Sequence, residues 1–165
     1  MDIKYTVHDN FLTQADFESI TKEMFGDFFP WYFHNTVSFK KDKNESHFFW
    51  THIFFEQGKG ITSDYYKMLN PLMKKLNIKA LIRIKANLYS NQGKIEEHQA
   101  HQDYNYKHKG ALFSLNTTNG YTTFADKSKV QGVANRMVLF DPSKPHFSST
   151  VTDVNVRVNI VFNYF

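Results

Sequence analysis

The residues of this sequence with the clearest capacity for chemistry are two histidines and an aspartate. His101 and Asp103 are separated by one residue, so in a strand both side chains lie on one face and can reach one ion. His146 follows later, in Pro145-His146-Phe147. Two imidazoles and one carboxylate on one side of a metal leave its other side open, which is the geometry of non-haem Fe(II) sites. The sequence therefore predicts a metal site at His101, Asp103 and His146 with open positions for ligands.

Arg157 is the fourth residue of this set and lies between two valines, downstream of His146. A planar guanidinium can bind a carboxylate through two parallel hydrogen bonds. A buried arginine is also unusual unless an anion accompanies it. We therefore expect Arg157 to bind one carboxylate of a dicarboxylic acid whose other end reaches the metal. The alternative interpretation is a salt bridge between strands.

His101-x-Asp103, His146 and Arg157, in this order, resemble the motif of the 2-oxoglutarate/Fe(II)-dependent dioxygenases. The chain is most similar to the small prolyl-4-hydroxylase-like branch, which includes members from bacteriophages, and the similarity covers residues 80–165. The resemblance implies a double-stranded β-helix, Fe(II) as the metal, and 2-oxoglutarate and O2 as co-substrates. It also implies hydroxylation of a C–H bond in a peptidyl (prolyl-like) or small-molecule substrate, with release of succinate and CO2.

The resemblance assigns further residues to the co-substrate site. Tyr89 corresponds to a strand tyrosine that contacts the same carboxylate as Arg157, and Asn87 lies on the same strand face. Asn159 stands where some branches carry serine, and it could donate a hydrogen bond in a similar way. Prolyl hydroxylases of the animal type commonly use lysine at the position of Arg157, so the analogy is weaker for the substrate than for the co-substrate.

Two other functions remain open at this point. A nucleic-acid-modifying oxygenase would use the same iron chemistry, and the formal charge of +4 and pI of 9.1 are mildly basic. That branch usually carries a second arginine shortly after the first, and no arginine follows Arg157. The charge is therefore read as a solvated lysine-rich loop around residues 40–43, so nucleic acid is not the favoured partner. The other function is a cupin-like module that binds metal without turnover.

A chain of 165 residues without cysteine predicts one domain, residues 1–165, with no disulfide or thiolate site. Residues 1–79 are expected to supply support and the substrate side, and residues 80–165 the β-helix. The N-terminal residues lack a signal-peptide layout, and no apolar run approaches the ~20 residues that span a bilayer. We therefore expect a cytoplasmic protein, in the host cell if it is viral, that does not interact with membranes. The oligomeric state is left open.

Hydrophobic periodicity predicts a mainly β jelly roll with helices packed on one side. From Ala80 the period is two, which places four polar residues on one strand face. In the last strand Arg157 and Asn159 share a face. The expected helices begin at Thr13 and at Thr62 or Ser63, and Pro71 is expected to kink the second. The expected strands are residues 3–8, 31–39, 47–55, 80–89, 110–116, 121–124, 137–140 and 154–165, with a short strand at Val133.

Three further expectations concern loops and the substrate side. Thr117-Thr118-Asn119-Gly120 predicts a hairpin turn between residues 110–116 and 121–124. His98 is given a supporting or surface role, and His108 is expected in a solvated loop between two lysines. Substrate recognition is expected from the first half, where residues 40–43 could fold over the cavity. The aromatic residues expected to take part are Trp31, Tyr32, Phe33 and Trp50.

Overall fold

The computed structural model describes residues 5–37 and 47–165, so the predicted loop at residues 40–46 lies outside the described residues. In chain order the elements are β1 (Tyr5–His8), α1 (Gln14–Met24), β2 (Tyr32–His34), β3 (Phe49–Glu56), β4 (Gly60–Ile61), a 3-10 helix (Asp64–Leu69), α2 (Asn70–Leu76), β5 (Leu81–Ser90), β6 (Lys109–Ser114), β7 (Tyr121–Phe124), β8 (Lys129–Gln131), β9 (Arg136–Phe140), β10 (His146–Ser148) and β11 (Val156–Tyr164). Val133 lies in no strand.

The strands form two antiparallel sheets. The larger has the order β1-β9-β6-β11-β5-β3-β2, with β4 paired to β3, and the smaller has the order β10-β7-β8. Isolated bridges from Glu97 to Ser149 and from His101 to His146 extend the smaller sheet beyond its strands. Side chains from both sheets line one cavity between them. This arrangement confirms the predicted jelly roll.

The helices cover the outer face of the larger sheet. Ile20 of α1 and Leu72 of α2 are buried against apolar residues of β5 and β11. The side chain of Thr13 accepts a hydrogen bond from the backbone N–H of Asp16, which confirms the predicted start of α1. The predicted second helix begins after Ser63, as expected, but is divided into the 3-10 helix and α2. Pro71 lies in the first turn of α2, where its missing N–H is not needed, so the interruption comes just before the proline and not as a kink within α2. Among the described residues no helix combines the length and apolar character that crossing a bilayer requires.

The two-residue period predicted for β5 and β11 is confirmed. Ile84 and Ala86 of β5, with Val158 and Ile160 of β11, face the helices. The alternate residues of β5, namely Arg83, Lys85, Asn87 and Tyr89, line the cavity on the other side. We call these four residues the polar face of β5. The antiparallel register places Arg157 opposite Tyr89, Asn159 opposite Asn87 and Asn163 opposite Arg83.

The predicted hairpin through Asn119-Gly120 is wrong. β6 pairs with β9 and β11, whereas β7 pairs with β8 and β10, so the intervening loop crosses from one sheet to the other. A two-residue type I′ turn needs positive φ at both central residues, and neither Asn119 nor Gly120 adopts it. The side chain of Asn119 instead donates to Thr152 Oγ1 at 2.7 Å, which fastens the crossing loop to the segment before β11.

Candidate metal centre

The two histidines of the predicted metal site lie opposite each other across a β-bridge. The backbone N–H of His101 donates to the carbonyl of His146 at 3.0 Å, and the reverse hydrogen bond is also 3.0 Å. Residues paired in this way place their side chains on the same face of the ladder. The ring centroids are consequently 4.6 Å apart.

Asp103 joins this pair from the segment after His101. Its backbone N–H donates to the carbonyl of Pro142 at 3.0 Å, which keeps the segment beside the loop that leads to His146. One ligand atom from each of the three side chains lies within 4.8 Å of the others. Sequence separation does not predict this convergence, because His101 and His146 belong to distant segments. The structure therefore brings the three predicted ligands together, and metal binding by them remains a prediction.

The protonation of the histidines suits a metal. His146 Nδ1 lies 3.0 Å from the carbonyl of Lys144, so Nδ1 carries the proton and the Nε2 lone pair is left for an ion. Burial, with the neighbouring His146, lowers the pKa of His101 to about 4. His101 is therefore neutral at physiological pH. Two imidazoles and a carboxylate on one side of an ion are a donor set that fits Fe(II).

The carboxylate of Asp103 is held from both sides. Arg83 Nη2 donates to Oδ1 at 3.0 Å, and Asn163 Nδ2 donates to Oδ2 at 2.8 Å. Burial is the largest single effect and raises the pKa of Asp103, but Arg83, His146, Asn163 and Lys85 together outweigh it and keep that pKa below its ordinary value. Asp103 is therefore an anion. The supporting roles of Arg83 and Asn163 were not predicted, although the two-residue period does place them on the strand faces of Tyr89 and Arg157.

His108 supports the Asp103 carboxylate indirectly, through Asn163. It is 6% exposed, and its Nδ1 donates to the carbonyl of Tyr106 at 2.8 Å. Its Nε2 then accepts a hydrogen bond from Asn163 Nδ2 at 3.1 Å. The prediction of a solvated loop position for His108 is wrong, because its side chain is buried although both lysine neighbours are exposed.

Arg157 is 2% exposed and lies behind Tyr89 and Thr122, which line the cavity at the end away from the three candidate ligands. Its Nη2 donates to Thr122 Oγ1 at 2.8 Å and its Nη1 to the carbonyl of Ser149 at 3.3 Å. Its guanidinium carbon lies 5.5 Å from the centre of the Tyr89 ring, and its buried Nε has no partner. No described carboxylate pairs with Arg157, so the alternative of a salt bridge between strands is not seen. A buried cation whose partners are all neutral is a site for an anion.

Tyr89 and His98 complete this end of the cavity. Burial raises the pKa of Tyr89, although Arg157 opposes that effect, so the phenol keeps its proton and can donate. His98 stacks on Tyr89 at 5.3 Å between ring centroids, and its Nδ1 lies 2.8 Å from Ser148 Oγ. Burial lowers the pKa of His98 to about 3. The surface alternative for His98 is therefore wrong, since this neutral ring supports Tyr89 and Ser148.

The remaining predicted contacts lie between the two ends. Asn87 Nδ2 donates to Asn159 Oδ1 at 3.0 Å, and both side chains line the cavity. The Oδ1 atom of Asn87 is buried without a partner. The structure therefore places Asn87, Tyr89 and Asn159 on one path between Arg157 and the three candidate ligands. Their contact with a co-substrate remains a prediction.

The aromatic residues expected to recognise substrate do not line this cavity. Trp31 packs against the core beneath the helices, and Phe33 and Trp50 contact each other at 5.7 Å between ring centroids. Of the described residues in the first half of the chain, Val37 and Phe49 line the cavity instead, and Phe49 stacks on Tyr89 at 5.7 Å between ring centroids. Alternation along β3 explains the difference, because Phe49 and Trp50 point to opposite faces.

Comparisons with known proteins address the fold. No family model matches the chain, and no curated protein is significantly similar to it. The viral collagen prolyl hydroxylase of Paramecium Bursaria Chlorella virus-1, solved with 2-oxoglutarate, is 12% identical at a TM-score of 0.66, over 98% of this chain and 96% of that one. A Trichoplax adhaerens prolyl hydroxylase, solved with a hypoxia inducible factor peptide, is 16% identical at a TM-score of 0.67, over 99% and 84%.

A third neighbour is an oxidoreductase of the 2OG-Fe(II) oxygenase family from Burkholderia pseudomallei. It is 10% identical at a TM-score of 0.70, over 99% of this chain and 85% of that one. Identities this low describe the backbone and not the chemistry. The chain therefore has the fold of the prolyl-4-hydroxylase-like 2OG-Fe(II) oxygenases.

Proposed function

We propose that this protein is an Fe(II)- and 2-oxoglutarate-dependent dioxygenase that hydroxylates a C–H bond of a peptidyl (prolyl-like) or small-molecule substrate. The observation that carries the proposal is Arg157, a buried guanidinium without a carboxylate partner among the described residues. Its neighbours Thr122 and Tyr89 line one end of a cavity. The other end holds His101, Asp103 and His146. A diacid that chelates a metal through one end and presents a carboxylate at the other would match both ends.

Each residue has a role that follows from its contacts. His101 and His146 present imidazole lone pairs to the ion, and Asp103 presents a carboxylate oriented by Arg83 and Asn163. Arg157 would hold the distal carboxylate of 2-oxoglutarate. When bound, iron and 2-oxoglutarate supply the oxidation: O2 gives one oxygen atom to succinate, formed with CO2, and the other to the substrate C–H bond.

The cavity walls serve to exclude water. Leu112, Phe140 and Val161 form an apolar wall that packs against Phe124 of the smaller sheet. The Tyr89 and Thr122 hydroxyls would donate to the same carboxylate as Arg157. This is supported by the position of the Arg157 guanidinium over the Tyr89 ring and by its hydrogen bond to Thr122 Oγ1. Charge-assisted hydrogen bonds in such a dry site are stronger than in water, because competing solvent is removed.

The solved neighbours support the substrate class in outline. One of them is a prolyl hydroxylase in complex with a peptide fragment, which supports a peptide as the kind of molecule that this cavity would take. A free small molecule remains the alternative, since the likeness to that enzyme extends to the fold alone.

The test is succinate formation by the iron-loaded protein with 2-oxoglutarate and O2, measured by mass spectrometry. We expect slow turnover even without the primary substrate. Arg157→Met should raise the KM for 2-oxoglutarate by orders of magnitude, because losing a desolvated charge pair costs several kcal/mol, at about 1.4 kcal/mol for each tenfold change. Arg157→Lys should retain part of the affinity, since it keeps the charge.

Arg136→Met is the matched control, because Arg136 pairs with Asp9 on the exposed surface at 2.6 Å. It should leave the KM unchanged, and all variants should carry equal iron. Absence of succinate from iron-loaded protein would contradict the oxygenase proposal and favour a non-catalytic metal-binding module. Turnover that is independent of Arg157 would indicate that Arg83 or Lys85, and not Arg157, binds the carboxylate of 2-oxoglutarate.

A further inference from the structure

Lys85 is a cation in the cavity wall that the proposed mechanism does not use. It belongs to the polar face of β5 and lines the cavity together with His101 and Asp103. Its Nζ lies 5.5 Å from the centre of the Phe49 ring. Within residues 5–37 and 47–165, no carboxylate forms an ion pair with Lys85 and no group accepts a hydrogen bond from it.

The carboxylate of Asp103 lines the same cavity but forms no ion pair with this ammonium, its ion pairs being with Arg83 and His101. Both oxygens of Asp103 already accept hydrogen bonds, Oδ1 from Arg83 and Oδ2 from Asn163. An ammonium that faces a cavity without an acceptor is costly unless a ligand supplies one. Arg83, the other cation of the polar face of β5, does have acceptors, because Asp103 and Asn163 accept hydrogen bonds from its Nη2.

The sum of charges in the site with Fe(II) and 2-oxoglutarate bound also favours an anionic partner for Lys85. Fe(II), Arg83, Lys85 and Arg157 bring more positive charge than Asp103 and the two carboxylates of 2-oxoglutarate neutralise. In the proposed site one of those carboxylates is bound by Arg157 and the other chelates the metal. Lys85 lies four residues from Tyr89 along β5, about 13 Å between Cα atoms, and so at the metal end of the cavity. Positive charge therefore remains beside the metal, where the proposed C–H oxidation would take place.

We propose that Lys85 binds an anionic group, a carboxylate or a phosphate, on the primary substrate. The inference deepens the proposed function and rests on it, since it concerns the substrate of the same iron site. It makes Lys85 a specificity-determining residue. A neutral analogue of the substrate would leave the ammonium unpaired in the closed complex, and sites built around a polar contact reject such analogues strongly.

The experiment uses the whole protein loaded anaerobically with Fe(II) and 2-oxoglutarate, and the probes are acetate and inorganic phosphate. Binding is followed by calorimetry, and co-substrate occupancy by the iron-to-2-oxoglutarate charge-transfer absorption. We expect the wild type to bind at least one probe, and the preferred probe distinguishes a carboxylate from a phosphate. Lys85→Met should weaken that binding by roughly tenfold or more, whereas Lys85→Arg should retain it.

Lys109→Met is the matched control, because Lys109 also lies over an aromatic ring, that of Tyr164, but on an exposed strand end. It should leave probe binding unchanged. Equal binding by wild type and Lys85→Met, or no binding by the wild type, would overturn the inference. So would loss of the charge-transfer absorption in Lys85→Met alone, which would make Lys85 a co-substrate contact. Absence of that absorption in the wild type would instead overturn the proposed function, and this inference with it.

Discussion

The orientation of Asp103 depends on a closed hydrogen-bond network around Asn163. The amide oxygen of Asn163 accepts from Arg83 at 3.3 Å, and its amide nitrogen donates to both Asp103 and His108. His108 is fixed in turn by its hydrogen bond to the Tyr106 carbonyl. Every polar atom of the Asn163 side chain is therefore satisfied. Such a network fixes the carboxylate before an ion arrives, which lowers the entropy cost of binding.

The contacts around Asp103 lead to a prediction about the affinity of the protein for Fe(II). Asp103→Ala and His146→Ala should each nearly abolish Fe(II) binding, because each removes one of three ligands. Asn163→Ala should weaken binding roughly 10- to 100-fold, since it releases the Asp103 carboxylate without removing a ligand. His98→Ala should have a smaller effect than loss of a ligand. The measurement is anaerobic Fe(II) titration, with His8→Ala on the exposed β1 strand as the control. Unchanged affinity in both ligand variants would show that the metal site is assigned wrongly.

Among the larger elements, the loop that crosses between the sheets controls the position of Arg157. A Cβ atom at Gly120 would lie 2.8 Å from Arg157 Cδ and 2.8 Å from the backbone carbonyl oxygen of Thr150. Real Cβ contacts are longer than this. Glycine is needed at position 120 because the loop approaches the arginine closely, and not because the backbone is left-handed there. The crossing loop therefore packs directly against the guanidinium side chain.

This packing predicts that Gly120→Ala will move Arg157. We expect a loss of stability of about 1–3 kcal/mol from overpacking and a fall in 2-oxoglutarate affinity of roughly tenfold, because the guanidinium leaves its hydrogen-bonded position. Gly132→Ala is the graded control, since its Cβ would meet Thr118 Oγ1 at 3.1 Å and Arg157 Nε only at 3.7 Å. Thermal unfolding and co-substrate titration measure the two effects. An equal loss in both variants would argue against direct displacement of Arg157.

For the whole molecule, the buried histidines link stability to pH. Burial, followed by the neighbouring His47 and Arg157, lowers the pKa of His98 from 6.5 to about 3. The unfolded chain therefore binds a proton at this residue below about pH 6.5, whereas the folded protein does not until about pH 3. Stability must fall as the pH decreases through that window, because protons favour the state that binds more of them.

We predict a slope of roughly 1.4 kcal/mol per pH unit from His98 alone within this window. His98→Phe keeps an aromatic ring on Tyr89 but removes the titrating group, so its free energy of unfolding should vary less between pH 6 and pH 4. The measurement is urea unfolding at a series of pH values with equal metal content. His98→Phe also loses the hydrogen bond to Ser148, which changes its absolute stability at every pH. The quantity compared is therefore the slope of the unfolding free energy against pH. Parallel curves for wild type and His98→Phe would refute the prediction.

Local periodicity was sufficient to predict much of the architecture. Alternation along β5 and β11 sorts residues onto two faces whatever those strands pair with. The shared face of Arg157 and Asn159, of which Asn159 lines the cavity, could therefore be read from the amino-acid sequence. The cap at Thr13 is equally local. The order of His101, Asp103, His146 and Arg157 led to the dioxygenase fold, and the solved neighbours confirm that fold.

Contacts between distant segments were decided only by the tertiary structure. The bridge between His101 and His146, the support of Asp103 by Arg83 and Asn163, and the burial of His108 join segments that no local pattern connects. The Asn119-Gly120 signal failed for the same reason, because a turn signal describes four residues and not which sheet the chain enters next. The amino-acid sequence thus determined which residue types were available and which faces they share. Packing of the two sheets determined which of them meet, since that depends on the free energy of the whole fold.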